Sequence, residues 1–189
     1  MKNENASQSE EQAGSTNNSQ EEHIENLTDS DAIKKIKEIT DKVDSCFFVT
    51  NIKTGIPASI RPMSVQEVDE EGNLWFMSLD DSHKNDEIAR DPFVHLLFQA
   101  SHHSGFLNLY GIAEIIKDQN KIDKLWEPFL KNWFQGGKDD PKISLIKVIP
   151  SEGYYWDNKH GNVVAFLKMA VGAAIGKTMD DSVEGQLEV

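Results

Sequence analysis

The sequence contains a single cysteine, Cys46, in a chain of 189 residues. One thiol cannot form a disulfide within the chain, so a disulfide-stapled scaffold is excluded and a cytoplasmic location is favoured. Cys46 begins an apolar stretch that continues through Phe47, Phe48 and Val49. This setting predicts that Cys46 is a small buried hydrophobic residue, with a reactive thiol as the alternative.

Long apolar runs and an excess of basic charge are also lacking. The longest apolar run, residues 163–175, contains Lys168 and is too short to span a bilayer. The first residues lack the apolar segment of a signal peptide. The chain has 19 Lys and Arg against 32 Asp and Glu, a formal net charge of −13. We therefore expect a cytoplasmic protein with no nucleic-acid partner and no membrane partner.

The acidic charge is concentrated near the N-terminus. Residues 1–31 hold eight acidic residues and one lysine, a local net charge of −7. Because almost no apolar residue occurs among residues 1–26, they cannot form a packed core. We predict a disordered acidic tail over residues 1–27, an ordered domain over residues 28–176, and a flexible acidic tail over residues 177–189.

Apolar patterning predicts a mainly β domain with flanking helices. Thr28 and Asp31 have capping-box spacing, which predicts a helix start. Strands are predicted over residues 46–52, 58–68, 74–79, 93–99, 107–117, 143–149 and 154–157. Helices are predicted over residues 82–90, 118–134 and 163–175. Since strands and helices do not alternate regularly and no Gly-rich dinucleotide fingerprint occurs, we reject a doubly wound parallel sheet. A small antiparallel barrel fits the pattern.

Two short motifs predict a phosphate site. Arg61-Pro62-Met63 lies on a predicted strand, and Ser82-His83-Lys84 begins the next predicted helix, with Ser82 as N-cap. The arginine offers a bidentate fork, the lysine a point charge and the first helical turn free N–H groups. The strand between them, Leu74-Trp75-Phe76-Met77-Ser78, is apolar and ends in a hydroxyl. Either cation alone could simply face solvent, but together they predict a phosphorylated, planar cofactor.

Other side chains that could support catalysis do not form a recognisable site. His102-His103 has no accompanying carboxylate or cysteine cluster, so no metal site is predicted. We find no Ser–His–Asp order and no thiol beside a base, so any chemistry would come from a cofactor. Trp126, Trp133 and Phe134 lie on one predicted helix. They either pack in the core or cover the cofactor or a dimer partner.

Four stretches of the chain resemble the pyridoxamine 5′-phosphate oxidase-like, FMN-binding split-barrel superfamily, and within it the bacterial general stress proteins. They comprise residues 61–63, 74–78 together with 82–84, 133–141 and 152–157. The resemblance extends over residues 33–175. It implies an antiparallel six-stranded split β-barrel that forms a homodimer, with two FMN sites at the interface.

The resemblance also implies eight cofactor-binding residues. They are Arg61, Pro62, Met63, Met77, Ser78, Ser82, Lys84 and Trp156. The two cations would bind the FMN phosphate, and the two serines would add hydroxyl contacts. The methionines would lie beside the ring system, and the tryptophan aligns with an aromatic residue at the side of the ring.

The chain departs from the family pattern at two places. Many FMN-binding relatives have a basic residue before the lysine, where this chain has His83. The oxidases of the family have an arginine-bearing stretch after the tryptophan, but here Trp156 is followed by Asp157-Asn158-Lys159-His160-Gly161. This argues against oxidation of a B6 vitamer.

A flavin-dependent oxidoreductase linked to stress is the function we expect, with hydride coming from a reduced nicotinamide. One alternative is a non-catalytic protein that binds flavin or acts as a dimeric interaction module. Another is a split barrel that uses deazaflavin or heme.

Overall fold

The computed structural model describes residues 23–43, 45–54, 57–101, 105–159 and 181–189. Within these residues the chain forms nine strands, three α-helices and one 3₁₀ helix. The strands are β1 Leu27–Thr28, β2 Cys46–Thr50, β3 Ser59–Met63, β4 Glu67–Val68, β5 Leu74–Leu79, β6 Phe93–Gln99, β7 Phe106–Ile116, β8 Ile143–Asn158 and β9 Ser182–Glu188. The helices are α1 Asp29–Thr40, α2 His83–Arg90, α3 Gln119–Leu125 and the 3₁₀ helix Pro128–Asn132.

Three predictions fall on residues outside those ranges. They are the N-terminal tail as far as residue 22, the pair His102-His103 and the helix over residues 163–175. None of the described helices is long and apolar enough to cross a membrane.

All nine strands belong to one sheet that divides at β8. The order β3-β2-β6-β7-β8 is antiparallel throughout. The first part of β8 then pairs with β5, and its last part pairs with β9. In the described residues β3 and β5 do not pair with each other, so the sheet stays open between them. The predicted fold class, mainly β with flanking helices in a split-barrel arrangement, is confirmed.

Inward-facing side chains of the strands form the main core under α1. Phe48 of β2 and Phe76 of β5 meet edge to face, with ring centroids 5.2 Å apart. Ile36 and Ile39 of α1 are fully buried in the same cluster. Cys46 is buried there too, as predicted, and burial raises the pKa of its thiol to about 12. The thiol therefore stays protonated at neutral pH and acts as a small hydrophobic residue.

The helix predicted over residues 118–134 is wrong as a single element. Its start is correct, because the Asp118 side chain caps α3 by accepting from the backbone N–H of Lys121. The helix ends at Leu125, since proline at position 128 lacks an N–H and disfavours helical geometry in the residue before it. Glu127 is accordingly extended, with φ −116° and ψ 148°. The chain then resumes as the 3₁₀ helix.

Strand boundaries were predicted less well than strand existence. The strand expected over residues 58–68 is two strands, β3 and β4, whereas those expected over 143–149 and 154–157 are one strand of 16 residues, β8. The β7–β8 register shifts between Tyr110 and Gly111. A Cβ at Gly111 would lie 2.5 Å from the Ile149 carbonyl oxygen, so only glycine fits there.

The flexible C-terminal tail predicted over residues 177–189 is wrong for most of its length. Residues Ser182–Glu188 form β9, which pairs with β8 and extends the ordered domain beyond residue 176. Val183, Gly185 and Leu187 alternate toward the interior and are buried. The acidic composition of this segment predicted flexibility. Burial of the alternating residues instead offsets the entropy lost when the segment becomes ordered.

Candidate functional site

A cleft of about 560 Å³ lies where the sheet is open, between β3 and β5. Its volume is in the range of small-molecule sites. The lining residues are Ser45, Arg61, Pro62, Met63, Ser64, Gln66, Met77, Ser78, Leu79, Ser82, Lys84, Phe129, Leu130, Trp133 and Phe134. Seven of the eight predicted site residues are therefore brought together, and Trp156 is not among them.

Arg61 is held at one side of the cleft by two acceptors. Its Nη2 lies 2.6 Å from Glu87 Oε2, and its Nη1 donates to Thr50 Oγ1 at 2.9 Å. The Thr50 hydroxyl itself donates to Glu87 Oε2 at 2.6 Å. Sequence reasoning missed Thr50 and Glu87. The one local signal was Glu87 at one helical turn after Lys84.

The Glu87 carboxylate stays ionised in this setting. Burial raises its pKa, but hydrogen bonds from Thr50, Ser59 and Arg61, together with the charge of Arg61, lower the pKa by more. The net result is a pKa below the ordinary value. At neutral pH Arg61 and Glu87 therefore form a true ion pair.

Lys84 is a partly buried cation beside Arg61. Burial and the charge of Arg61 both lower the pKa of its ammonium. No acceptor in the described part of the chain forms a hydrogen bond or ion pair with it. Glu87 already neutralises Arg61, so Lys84 leaves this end of the cleft with uncompensated positive charge. An anion placed here would lower the free energy of the site.

The two serines belong to a buried polar network. Ser78 donates to Asn85 Oδ1 at 2.7 Å, and Ser82 donates to the same oxygen at 3.1 Å. Asn85 Nδ2 in turn donates to Ser144 Oγ at 3.0 Å. The network joins β5, α2 and β8, and Ser78 is only 1% exposed. Ser82, the N-cap residue, makes no capping hydrogen bond to the first turn of α2.

Apolar side chains form most of the remaining wall of the cleft. Met63 and Met77 lie on the strands that border the opening. Phe129 and Trp133 pack edge to face with centroids 6.1 Å apart, and Trp133 is 65% exposed. The aromatic residues predicted on one helix therefore differ in their burial. Both Phe134 and Trp133 border the cleft, but Phe134 is buried against Trp126, whereas Trp133 is largely exposed.

Trp156 lies in a separate groove on the outer face of the sheet. This groove, about 420 Å³ in volume, is also lined by Phe47, Leu97 and Phe106. Pro62 borders both the groove and the cleft. Within one chain Trp156 is thus a neighbour of the cleft and not part of its wall.

No group of three or more His, Cys, Asp or Glu side chains suited to a metal ion occurs in the part of the chain described. The described residues that line the cleft include no His, Asp, Glu or Cys. They therefore supply no imidazole, carboxylate or thiol to the cleft, and its ionisable side chains are Arg61 and Lys84.

The fold and the cleft define an open split-barrel protein whose cleft has a cationic end and a largely apolar wall. The chain belongs to the pyridoxamine 5′-phosphate oxidase-like family, whose model matches residues 31–180. It is 28% identical to protein bli-3 of Neurospora crassa over 134 residues, 66% of this chain and 64% of that one. It is 31% identical to general stress protein 26 of Bacillus subtilis over 75 residues, 38% of this chain and 53% of that one. Each match spans less than two thirds of the relative's length.

Solved structures show the same fold. General stress protein 26 from Jannaschia sp. CCS1 has a TM-score of 0.69 at 22% identity, covering 82% of this chain and 97% of that chain. General stress protein 26 from Bacillus anthracis has a TM-score of 0.57 at 25% identity, covering 65% and 92%. The general stress FMN/FAD binding protein of Xanthomonas citri has a TM-score of 0.53 at 22% identity, covering 65% and 84%. The resemblance to general stress proteins is confirmed.

Proposed function

We propose that the cleft binds FMN, with the phosphate between Arg61 and Lys84. Lys84 carries this proposal, because it is a partly buried cation beside a second cation, with no acceptor among the described residues. A phosphate would compensate that charge and accept from the free donors of Arg61. The flat ring system would lie against Met63, Met77 and the exposed face of Trp133.

The chemical character of the cleft supports a flavin phosphate. Charge is confined to one end, since Arg61 and Lys84 are the only charged residues among those described in the lining. The remaining wall is apolar or neutral, which suits a ring system and excludes water from it. A relative with this fold, from Xanthomonas citri, is an FMN/FAD binding protein.

We further propose that the loaded protein is an oxidoreductase. The chemistry that bound FMN would supply is to accept hydride from a reduced nicotinamide and to pass electrons to a second substrate. The residues of this chain hold the phosphate, orient the ring and exclude water. Since no His, Asp, Glu or Cys occurs among the described residues of the lining, we assign the redox chemistry to the cofactor.

We also propose that two copies associate through the outer face of the sheet. Phe47 and Leu97 lie directly opposite each other on β2 and β6, and Phe106 lies opposite Trp156 on β7 and β8. Phe47 is 57% exposed and Trp156 is 43% exposed. Apolar patches of this kind mark interaction surfaces. Since Pro62 borders both this groove and the cleft, the second copy would sit next to the cofactor.

Purified protein should show the two-band absorption of a flavin, and denaturation should release FMN, identified by mass. In titrations of ligand-free protein, Arg61→Ala and Lys84→Ala should each weaken FMN binding by roughly tenfold or more and leave riboflavin binding unchanged. The matched control is Arg90→Ala, an exposed arginine of α2 whose Nε donates only to the Asp86 backbone. Its FMN affinity should equal that of the unaltered protein.

A colourless protein that ignores added FMN would overturn the cofactor assignment. Release of heme or deazaflavin would identify that group, and not FMN, as the cofactor. Bound flavin that neither NADH nor NADPH reduces would refute the oxidoreductase and leave a non-catalytic flavin-binding protein.

A further inference from the structure

We propose that Glu87 and Thr50 are positioning residues for Arg61, and that they set the preference of the cleft for a phosphorylated flavin over the same ring system without phosphate. This inference rests on the proposed FMN site and assigns a role to two residues outside the lining of the cleft.

The three side chains form a closed set of hydrogen bonds. Arg61 donates through Nη1 to Thr50 Oγ1 at 2.9 Å and through Nη2 to Glu87 Oε2 at 2.6 Å. The two acceptor oxygens are themselves 2.6 Å apart and hydrogen-bonded. They present adjacent acceptors to one edge of the guanidinium, which matches its fork geometry. A guanidinium has five N–H donors, so the others remain for a ligand in the cleft.

Burial makes this arrangement rigid. Thr50 is fully buried, and the side chains of Glu87 and Arg61 are 13% and 24% exposed. Thr50 and Arg61 lie on the paired strands β2 and β3, and Glu87 lies on α2. The contacts therefore join the strand that carries Arg61 to the helix that carries Lys84. They hold the two cations at the same end of the cleft.

Without these acceptors the two cations would separate. Arg61 and Lys84 repel each other, and Arg61 is on the edge strand β3, which pairs with β2 on one side and with no strand in the described residues on the other. A free arginine there would sample many rotamers, and phosphate binding would have to order it. That ordering cost corresponds to roughly a tenfold loss of affinity.

Glu87 could in principle repel the phosphate, but its charge is already matched by Arg61 at 2.6 Å. The pair is close to neutral, and Lys84 supplies the net attraction. We therefore expect the positioning effect to exceed the repulsion. Whether the preference for FMN falls or rises on removing Glu87 distinguishes the two effects.

The experiment compares Kd for FMN and for riboflavin, measured by flavin fluorescence on the full-length, ligand-free chain. Glu87→Ala should lower the ratio of the riboflavin Kd to the FMN Kd by roughly tenfold. Thr50→Val, which keeps the shape and removes the hydroxyl, should lower the ratio several-fold. Glu87→Gln should keep most of the preference, because the amide oxygen still accepts from Arg61. The control Glu38→Ala removes an α1 carboxylate paired with Lys35 and Lys42, and should leave the ratio unchanged.

Equal weakening of FMN and riboflavin would assign Glu87 a purely structural role and overturn the inference. A rise in the ratio would make Glu87 a competitor of the phosphate and also overturn it. If Glu87→Ala does not fold, an unchanged ratio in Thr50→Val overturns it. An unchanged ratio in Arg61→Ala refutes the phosphate site itself. A ratio that falls sharply in Arg61→Ala but is unchanged in Glu87→Ala refutes only the positioning role.

Discussion

We expect Lys84 to lower the stability of the ligand-free fold, and it is also the residue on which the proposed phosphate site depends most. Its ammonium is partly buried, lies near Arg61 and occupies the first turn of α2, where the helix dipole disfavours a cation. All three effects lower the pKa or raise the free energy of the charged form. A bound phosphate reverses the balance, because the same charge then has a partner.

Replacing Lys84 by methionine separates these two effects. Lys84→Met keeps the apolar stem and removes the charge, so the ligand-free protein should unfold at a higher temperature, with a gain of about 0.5 kcal/mol. The rise in melting temperature on adding FMN should shrink, as FMN binds roughly tenfold more weakly. Differential scanning calorimetry with and without FMN measures both. Lys34→Met, at an exposed position of α1, is the control. A less stable Lys84→Met protein would contradict this account.

At the scale of elements, α2 is fixed to the sheet through Asn85. This residue is buried, receives hydrogen bonds from Ser78 and Ser82, and donates to Ser144 on β8. Since α2 also carries Lys84 and Glu87, the placement of the cation end of the cleft depends on this side-chain amide.

Asn85→Ala should therefore destabilise the fold, because it leaves the buried hydroxyls of Ser78 and Ser144 without their amide partner. The expected loss in the free energy of unfolding is about 1–3 kcal/mol, measured by urea denaturation. His83→Ala, an exposed change on the same helix, should stay within about 0.5 kcal/mol of the unaltered protein. A loss no larger for Asn85→Ala than for His83→Ala would show that the network does not hold α2.

Elements with clear alternation or clear breaks were predictable from sequence. The bounds of β5 and β6 are those predicted, and the N-cap of α2 is Ser82 as expected. The true extent of the helix predicted over residues 118–134 was not predictable in this way. Its apolar spacing continues through Pro128, but the backbone cannot remain helical there. β9 was missed because its pairing with β8 is nonlocal and its outward positions are polar or acidic.

At the scale of the whole molecule, the exposed apolar groove predicts a dimer. Light scattering should give twice the chain mass of 21.3 kDa. Phe47→Glu should give the monomer mass, because it places a charge in the centre of an apolar contact. Ile24→Glu, at a residue 52% exposed that bridges to β9, should remain dimeric. A monomeric unaltered protein would refute the dimer and leave the groove without a partner.

The sequence by itself determined the fold class and the two cations of the site. Alternation and turn residues are local signals, and a strand arginine followed by a helix-start lysine carries its chemistry in its residue types. Only the tertiary structure decided what these groups contact. Thr50 meets Glu87 across 37 residues of chain, and Asn85 meets Ser144 across 59. Contacts between residues so far apart in sequence depend on how strands and helices pack, and no local pattern encodes them. For the same reason, only the structure showed that Trp156 lies outside the cleft of its own chain.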